Sequence, residues 1–368
     1  MTDRAQLAFA LALHRATAPD PGETVCWSPF SVTSALGLVA QGAKGPTRDE
    51  LATLLVGAAG GDLGALGKLL ARAGELDAVR GDEDEPVVTV TNTLWTDESV
   101  DVLASFADEL DRWSSGRVRE APLRTEPASA RDLINLDVAR TTRDLIPELL
   151  PPDAITSETV SALVNALYLK CAWRNRFTEG ATEPRPFHAV SGTRPVPTMT
   201  LSERIGHAAL DGWQVATLRA VGGVEAVVLL PDGDLADAEA ELDADLLADL
   251  LDAPVPTQVD LALPRLEVTT KTELTAALER LGVRTVFTPA ADLSGISSSP
   301  LAVESVLHES VLRIDEQGLE GAAATAVMMR LVSMPTRVER MVVDRPFLLL
   351  VRHAATGVLY FMARVTEP

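Results

Sequence analysis

The chain has 368 residues, 32 basic against 53 acidic, and a formal charge of −21. That balance argues against a nucleic-acid partner or an anionic membrane surface, because holding phosphates needs clustered Lys or Arg. Two cysteines, Cys26 and Cys171, are too few for a disulfide-built fold and read as free buried thiols, and no stretch reaches the roughly 20 apolar residues of a membrane span.

In chain order, Leu7, Phe9, Leu11 and Leu13 form the apolar centre of a helix expected near 4–16. They read as a core-facing stripe and not as a leader, since neither a basic start nor a small-residue cleavage site flanks them, and this reading places the protein in the cytoplasm. Further helices are expected near 29–41, 47–56, 62–76, 101–113 and 128–147, with an acidic connector over 81–86. Apolar runs rich in β-branched residues at 87–95, 160–173, 225–230, 259–268, 303–314, 343–351 and 357–365 read as strands. Asp232-Gly233-Asp234 is a turn, and 235–251 holds one or two short helices. With no internal repeat and no low-complexity tail, the pattern is an α+β body with a large central sheet, read as one domain over 1–368. The basic residues are mostly Arg, with Lys only at Lys44, Lys68, Lys170 and Lys271, which hints at a GC-rich bacterial source.

Five histidines, His14, His188, His207, His308 and His353, could act as bases or metal ligands. None stands in a zinc spacing such as H-E-x-x-H, and no G-x-S-x-G elbow occurs, so no catalytic, metal or cofactor site is expected.

The run Ile314-Asp315-Glu316-Gln317-Gly318-Leu319-Glu320-Gly321-Ala322-Ala323-Ala324-Thr325-Ala326-Val327 is ambiguous by itself. Alanines favour helix, while Gly318 and Gly321 count against it. As a strand it alternates, with Leu319, Gly321, Ala323, Thr325 and Val327 on one small, almost wholly apolar face. Such a face suits a strand slotted between two others over a packed core.

Other motifs follow in order. They are Ser28-Pro29-Phe30-Ser31-Val32 with Gly42-Ala43-Lys44-Gly45; Asn92-Thr93-Leu94-Trp95; Leu163-Val164-Asn165-Ala166 through Trp173, then Phe177, Thr182 and Phe187; Leu263-Pro264-Arg265-Leu266; Ala291-Asp292-Leu293-Ser294-Gly295-Ile296; His308-Glu309-Ser310; Asp344-Arg345-Pro346-Phe347; and Tyr360-Phe361-Met362. Together with the 314–327 run, this series resembles the serpin family of serine protease inhibitors over essentially the whole chain.

The resemblance implies a serpin fold: a large mixed central sheet A with smaller sheets B and C, about eight to nine helices, and an exposed reactive-centre loop at about 317–340. It implies a suicide inhibitor, taken to be monomeric, whose partner is a serine protease and which needs no cofactor. The protease cleaves the loop and is acylated, and 319–331 then inserts into sheet A as a new strand, as the family is known to do. Counting from Glu316 places the reactive bond at Val332-Ser333. An aliphatic residue there points to elastase-, subtilisin- or chymotrypsin-like targets.

The return segment from Ser333 to Pro346 is about three residues longer than is usual, so Leu331-Val332, Arg330-Leu331 and Met334-Pro335 stay open as cleavage sites. Implied hinge residues are Glu316, Gly318, Leu319, Glu320, Gly321, Ala322, Ala323, Ala324 and Thr325. Implied shutter residues are Ser28, Ser31, Asn165 and His308, and implied breach residues are Trp173, Arg265 and Glu316. Leu319 and Gly321 depart from the Thr or Ser and the Ala that inhibitory members usually carry there. That keeps a non-inhibitory serpin (a protease substrate, a chaperone-like protein or a binding protein) as the alternative, with a cysteine-protease inhibitor of the same fold as a further one. Secreted members of the family leave an extracellular location open.

Overall fold

The computed structural model describes residues 4–57, 61–78, 85–113, 116–304, 306–319 and 338–368. Nine α-helices and fifteen strands occur among them, in the order α1 (Arg4–Thr17), β1 (Val25–Trp27), α2 (Pro29–Gly42), α3 (Gly45–Val56), α4 (Leu63–Ala73), β2 (Val87–Asp97), α5 (Ala104–Trp113), β3 (Arg117–Ala121), α6 (Pro127–Thr141), β4 (Ser161–Ala172), β5 (Glu183–Ala189), β6 (Gly192–Leu210), β7 (Trp213–Arg219), β8 (Val224–Pro231), α7 (Leu235–Glu241), α8 (Ala244–Asp252), β9 (Val255–Pro264), β10 (Leu266–Glu273), α9 (Thr275–Arg280), β11 (Val306–Ile314), β12 (Gly318–Leu319), β13 (Glu339–Val342), β14 (Phe347–His353) and β15 (Leu359–Val365).

The strands form two hydrogen-bonded sheets. One is six-stranded and mixed, in the order β10-β11-β12-β4-β2-β3; the other is nine-stranded, in the order β1-β15-β14-β8-β7-β6-β9-β13 with β5 on β6. The expected sheets B and C are thus continuous with each other, because β6 is 19 residues long and reaches from its β5 hairpin to β7.

Alternation along β4 divides the interior in two. Leu163, Leu167, Leu169 and Cys171 face the main core, shared with α2 and the nine-stranded sheet. Val164 and Ala166 face a second cluster built with Ala130, Ile134 and Val138 of α6. Helix α6 therefore lies across the far face of the six-stranded sheet.

Several expected boundaries need correction. The strand expected over 259–268 is two strands: β9 ends at Pro264 in the nine-stranded sheet and β10 begins at Leu266 in the six-stranded one, with Arg265 between them. The helix expected to reach 147 stops at Thr141. There Thr142 turns its hydroxyl back to the Val138 carbonyl (2.9 Å), and Arg143 and Asp144 take left-handed backbone (φ 50° and 64°). The helix expected from 101 begins at Ala104, because Val102 bridges to Ser297.

The β5–β6 hairpin is not among the expected strands, and its prolines run against the rule that keeps proline out of paired strands. Its prolines sit opposite one another, Pro184 to Pro197 and Pro186 to Pro195. Antiparallel pairs alternate between two hydrogen-bonding classes, so both proline pairs fall in one class, where the missing N–H groups point away from the partner. On β6 that outward side is open, because pairing with β9 begins only at Thr198.

Candidate functional site: a parted sheet and its hinge

β11 and β4 are parallel neighbours joined at one end only. Val306 pairs with Leu163 and Leu307 with Val164. At the opposite end the two-residue strand β12 sits between them, with Leu319 paired both to Ile314 of β11 and to Cys171 of β4, and Gly318 to Ala172. Between those ends, no ladder pairing joins 308–313 of β11 to 165–170 of β4 among the described residues. Their outer edges are fully used: β11 pairs with β10 and β4 with β2 along the same lengths.

The turn that leads into β12 is held by several groups. The turn from β11 to β12 is closed by the Asp315 carboxylate, which accepts from the backbone N–H of Gln317 (2.8 Å) and of Gly318 (3.1 Å). The Trp173 indole donates to the Asp315 carbonyl (2.9 Å), and the Trp173 backbone N–H donates to the Gln317 carbonyl (2.9 Å). Arg265 Nε donates to both oxygens of Glu316 (2.9 and 3.0 Å), and its Nη2 adds a third bond at 2.7 Å. The Thr182 hydroxyl donates to the same carboxylate. Burial would raise the Glu316 carboxyl, but the Arg265 guanidinium and the Thr182 hydroxyl outweigh it and hold the group below its ordinary value. Trp173, Arg265 and Glu316 are therefore in one cluster.

Leu319 is 1 % exposed, so the bulk of this side chain is accommodated where the sheet parts. Gly318 is required there by space: a Cβ on it would lie 2.2 Å from the Cys171 carbonyl oxygen. The expected hinge residues Glu320, Gly321, Ala322, Ala323, Ala324 and Thr325, and the expected reactive bond Val332-Ser333, lie outside the described residues.

At the closed end, the next parallel rung beyond Leu307–Val164 would set His308 against Asn165. Both are buried on the core face, at 3 % and 5 % exposure. His308 Nε2 accepts the Ser28 backbone N–H (3.0 Å) and lies 2.9 Å from the Ser310 hydroxyl. Ser28 Oγ caps α2 by accepting from the Ser31 N–H (3.1 Å). Burial pushes the His308 imidazole down to about 4, so it is neutral at physiological pH. Asn165 does not bond His308. Its amide Nδ2 donates to Asn92 Oδ1 across the β2–β4 pair, while Asn165 Oδ1 and Ser31 Oγ are buried without a hydrogen-bond partner among the described residues. The polar row thus runs Asn92, Asn165, His308, Ser28 across the point where pairing stops.

Sequence reasoning missed Asn92, Thr182 and Ser310 as members of these clusters. The signal available for Asn92 was a strand-disfavoured amide in a strand otherwise made mostly of Val and Thr. Both cysteines are free and buried, and burial pushes the Cys171 thiol up to about 12. Among the described residues no helix is long and apolar enough to cross a membrane.

The family model described as "Serpin (serine protease inhibitor)" matches residues 4–368. The chain belongs to the serpin family. It is 32 % identical over 378 residues to Serpin-ZXA of Oryza sativa subsp. japonica, covering 99 % of this chain and 95 % of that protein. Serpin B6 of Macaca fascicularis is 30 % identical over 374 residues, covering 98 % and 97 %. Among solved structures, a thyroxine-binding globulin complex with thyroxine superposes with a TM-score of 0.85 at 23 % identity, covering 99 % of this chain and 98 % of that one, a likeness of fold alone. Rice and macaque relatives give the expectation of a bacterial source no support. In serpin terms the six-stranded sheet is sheet A, the parted strands are its third and fifth, and the nine-stranded sheet combines sheets B and C.

Proposed function

We propose that this serpin inhibits a serine protease as a suicide substrate. The protease cleaves the loop at Val332-Ser333 and is held as an acyl-enzyme. The freed segment 319–331 then enters sheet A, starting from the rung that Leu319 already occupies. One observation carries this reading: the sheet is parted between β11 and β4, with the hinge seated at the open end. Insertion supplies ladder partners to edges that lack them and buries the small apolar face of the segment. The distance is sufficient. About sixteen steps from Glu316 to Val332 at about 3.3 Å each span roughly 50 Å.

In this reading Trp173, Arg265 and Glu316 form the breach where insertion starts. Ser28, Ser31, Asn165 and His308 form the shutter that must exchange hydrogen bonds as the strands separate, and unpartnered buried polar atoms make that exchange sensitive to substitution. Val332 favours elastase-, subtilisin- or chymotrypsin-like targets. The chain acts as one monomeric domain.

A second reading is a ligand-binding, non-inhibitory protein, favoured by the thyroxine complex of the same fold and by the departures at Leu319 and Gly321. Mixing the protein with elastase, chymotrypsin, subtilisin, trypsin and a papain-like protease separates the two. A covalent band that survives SDS with a serine protease is the expected result. Clean cleavage without such a band rejects inhibition, and a band only with the papain-like enzyme moves the target class. The mass of the released C-terminal peptide identifies the cleaved bond.

A further inference from the structure

In a chain of net charge −21, one cavity has four arginines on its walls. Arg174, Arg204, Arg219 and Arg352 surround a space of about 390 Å³ where β6, β7, the start of β8, the end of α8 and the start of β9 meet. Glu225 and Asp252 are its acidic groups, so the formal balance is four positive minus two negative charges, or +2. The volume is that of a small-molecule site.

The arginines are not equally engaged. Arg352 is spent within the protein: it donates to Glu225 Oε2 through Nε (3.2 Å) and Nη2 (3.1 Å), and to the Leu251 carbonyl (3.2 Å). Arg219 approaches the other oxygen of Glu225 through Nε alone, at 3.5 Å. Arg174 donates through Nε to the Ala220 carbonyl (3.3 Å). Arg204 is exposed, and its side chain has no hydrogen bond or ion pair among the described residues. The guanidinium of Arg204 and the Nη groups of Arg174 and Arg219 are therefore left as donors on one cavity. Ile205, Leu218 and Pro254 complete its wall with apolar surface.

We propose that this cavity binds a doubly charged phosphate group, free or carried as a phosphomonoester, clamped by Arg174, Arg204 and Arg219. The planar fork of a guanidinium matches two phosphate oxygens, and two negative charges neutralise the local excess. The site lies directly behind the hinge. Arg174 follows Trp173, its backbone N–H donates to the Arg219 carbonyl (2.9 Å), and Trp173 holds Asp315 and Gln317. An occupant bridging Arg174 and Arg219 braces the breach against opening. That consequence rests on the proposed loop insertion; the binding does not.

Isothermal titration of the intact protein with sodium phosphate, and separately with glycerol 3-phosphate, at ionic strength held constant with chloride, tests the site without any protease. One saturable site is expected. Arg204→Ala weakens it about tenfold, as loss of a charge-assisted hydrogen bond does, and Arg204→Ala with Arg219→Ala removes it. Both positions are exposed, and an unchanged melting temperature without ligand verifies that the variants fold. Tighter binding of glycerol 3-phosphate assigns an esterified ligand whose organic part lies on Ile205 and Leu218; equal or weaker binding assigns free phosphate. The absence of a saturable heat with both probes, or equal affinities for the parent and the double variant, overturns the proposal.

Discussion

Arg265 reaches both carboxylate oxygens of Glu316 from the residue at which the chain leaves one sheet for the other. Because β9 ends at Pro264 and β10 begins at Leu266, its backbone is fixed at the junction of the two sheets. Its side chain thereby ties that junction to the turn in front of β12. The pair is unequal: Glu316 is nearly buried, with 8 % of its side chain exposed, while 52 % of the Arg265 side chain is open to solvent. Solvent screening reduces what the ion pair itself contributes. The larger cost lies in leaving the buried carboxylate unpaired, or in replacing it with a cation.

Glu316→Lys sets an ammonium against the Arg265 guanidinium and removes the acceptor of Thr182. Loss of such a charge-assisted cluster costs about 1–3 kcal/mol, and the hinge is freed from the top of the sheet. The melting temperature of the variant is expected to fall by several degrees, with oligomers appearing on native gels after mild heating as the loop of one molecule enters the sheet of another. Calorimetry and native electrophoresis check this, and an unshifted melt with monomer alone rejects it.

Gly318→Ala tests the hinge by space alone. The added methyl meets the Cys171 carbonyl oxygen at 2.2 Å and Ala172 Cα at 2.9 Å, both backbone atoms of β4 that cannot rotate away. Either β12 leaves its slot or β4 shifts, at a cost of about 1–3 kcal/mol. The expected outcome is a less stable native protein, cleaved as a substrate more often per inhibited protease. The stoichiometry of inhibition measures the second effect and a thermal melt the first. Wild-type values in both assays reject a fitted slot.

Much of this architecture is legible in the sequence, for identifiable reasons. α2 follows from Ser28-Pro29, a cap and an N1 proline, and β4 from a long, largely apolar run. The Arg265–Glu316 pair, 51 positions apart, was available only through family resemblance, because no local rule links residues so distant. What stayed hidden depends on register. Asn165 was expected within the polar cluster, but its partner Asn92 is set by the pairing of β4 with β2. The chain crossing at Arg265 is invisible to a periodicity that continues through Leu266 and Val268. The β5–β6 prolines break a strand rule that holds only where an N–H is needed.

His308 gives the sheet a pH dependence of definite sign. Burial lowers its folded pKa from 6.5 to about 4, so the unfolded chain takes up the proton first. The stability gained by keeping the ring neutral is complete above pH 6.5 and is lost as the pH falls toward 4. At pH 5 the loss is about 2 kcal/mol. Protonated Nε2 would also turn a donor toward the Ser28 N–H that it now accepts. Urea melts at pH 7.5 and pH 5 are expected to show this loss in the parent and a flatter dependence in His308→Gln. Equal slopes in the two proteins remove His308 as the cause.

The parted strands make a last, more general prediction. His308 to Arg313 and Asn165 to Lys170 are six residues each, paired among the described residues on their outer sides only. A strand inserted between them supplies on the order of ten ladder hydrogen bonds at about 1 kcal/mol net each, together with burial of the alanine face. For a chain of this size each kcal/mol moves the midpoint by about 2 °C. Nicking the loop with catalytic elastase or subtilisin, and then removing the protease, is therefore expected to raise the melting temperature by ten degrees or more. Equal melting temperatures for intact and nicked protein would mean that the free segment gains nothing by entering the sheet. The proposed insertion of 319–331, and with it the proposed inhibition, would then lack its driving force.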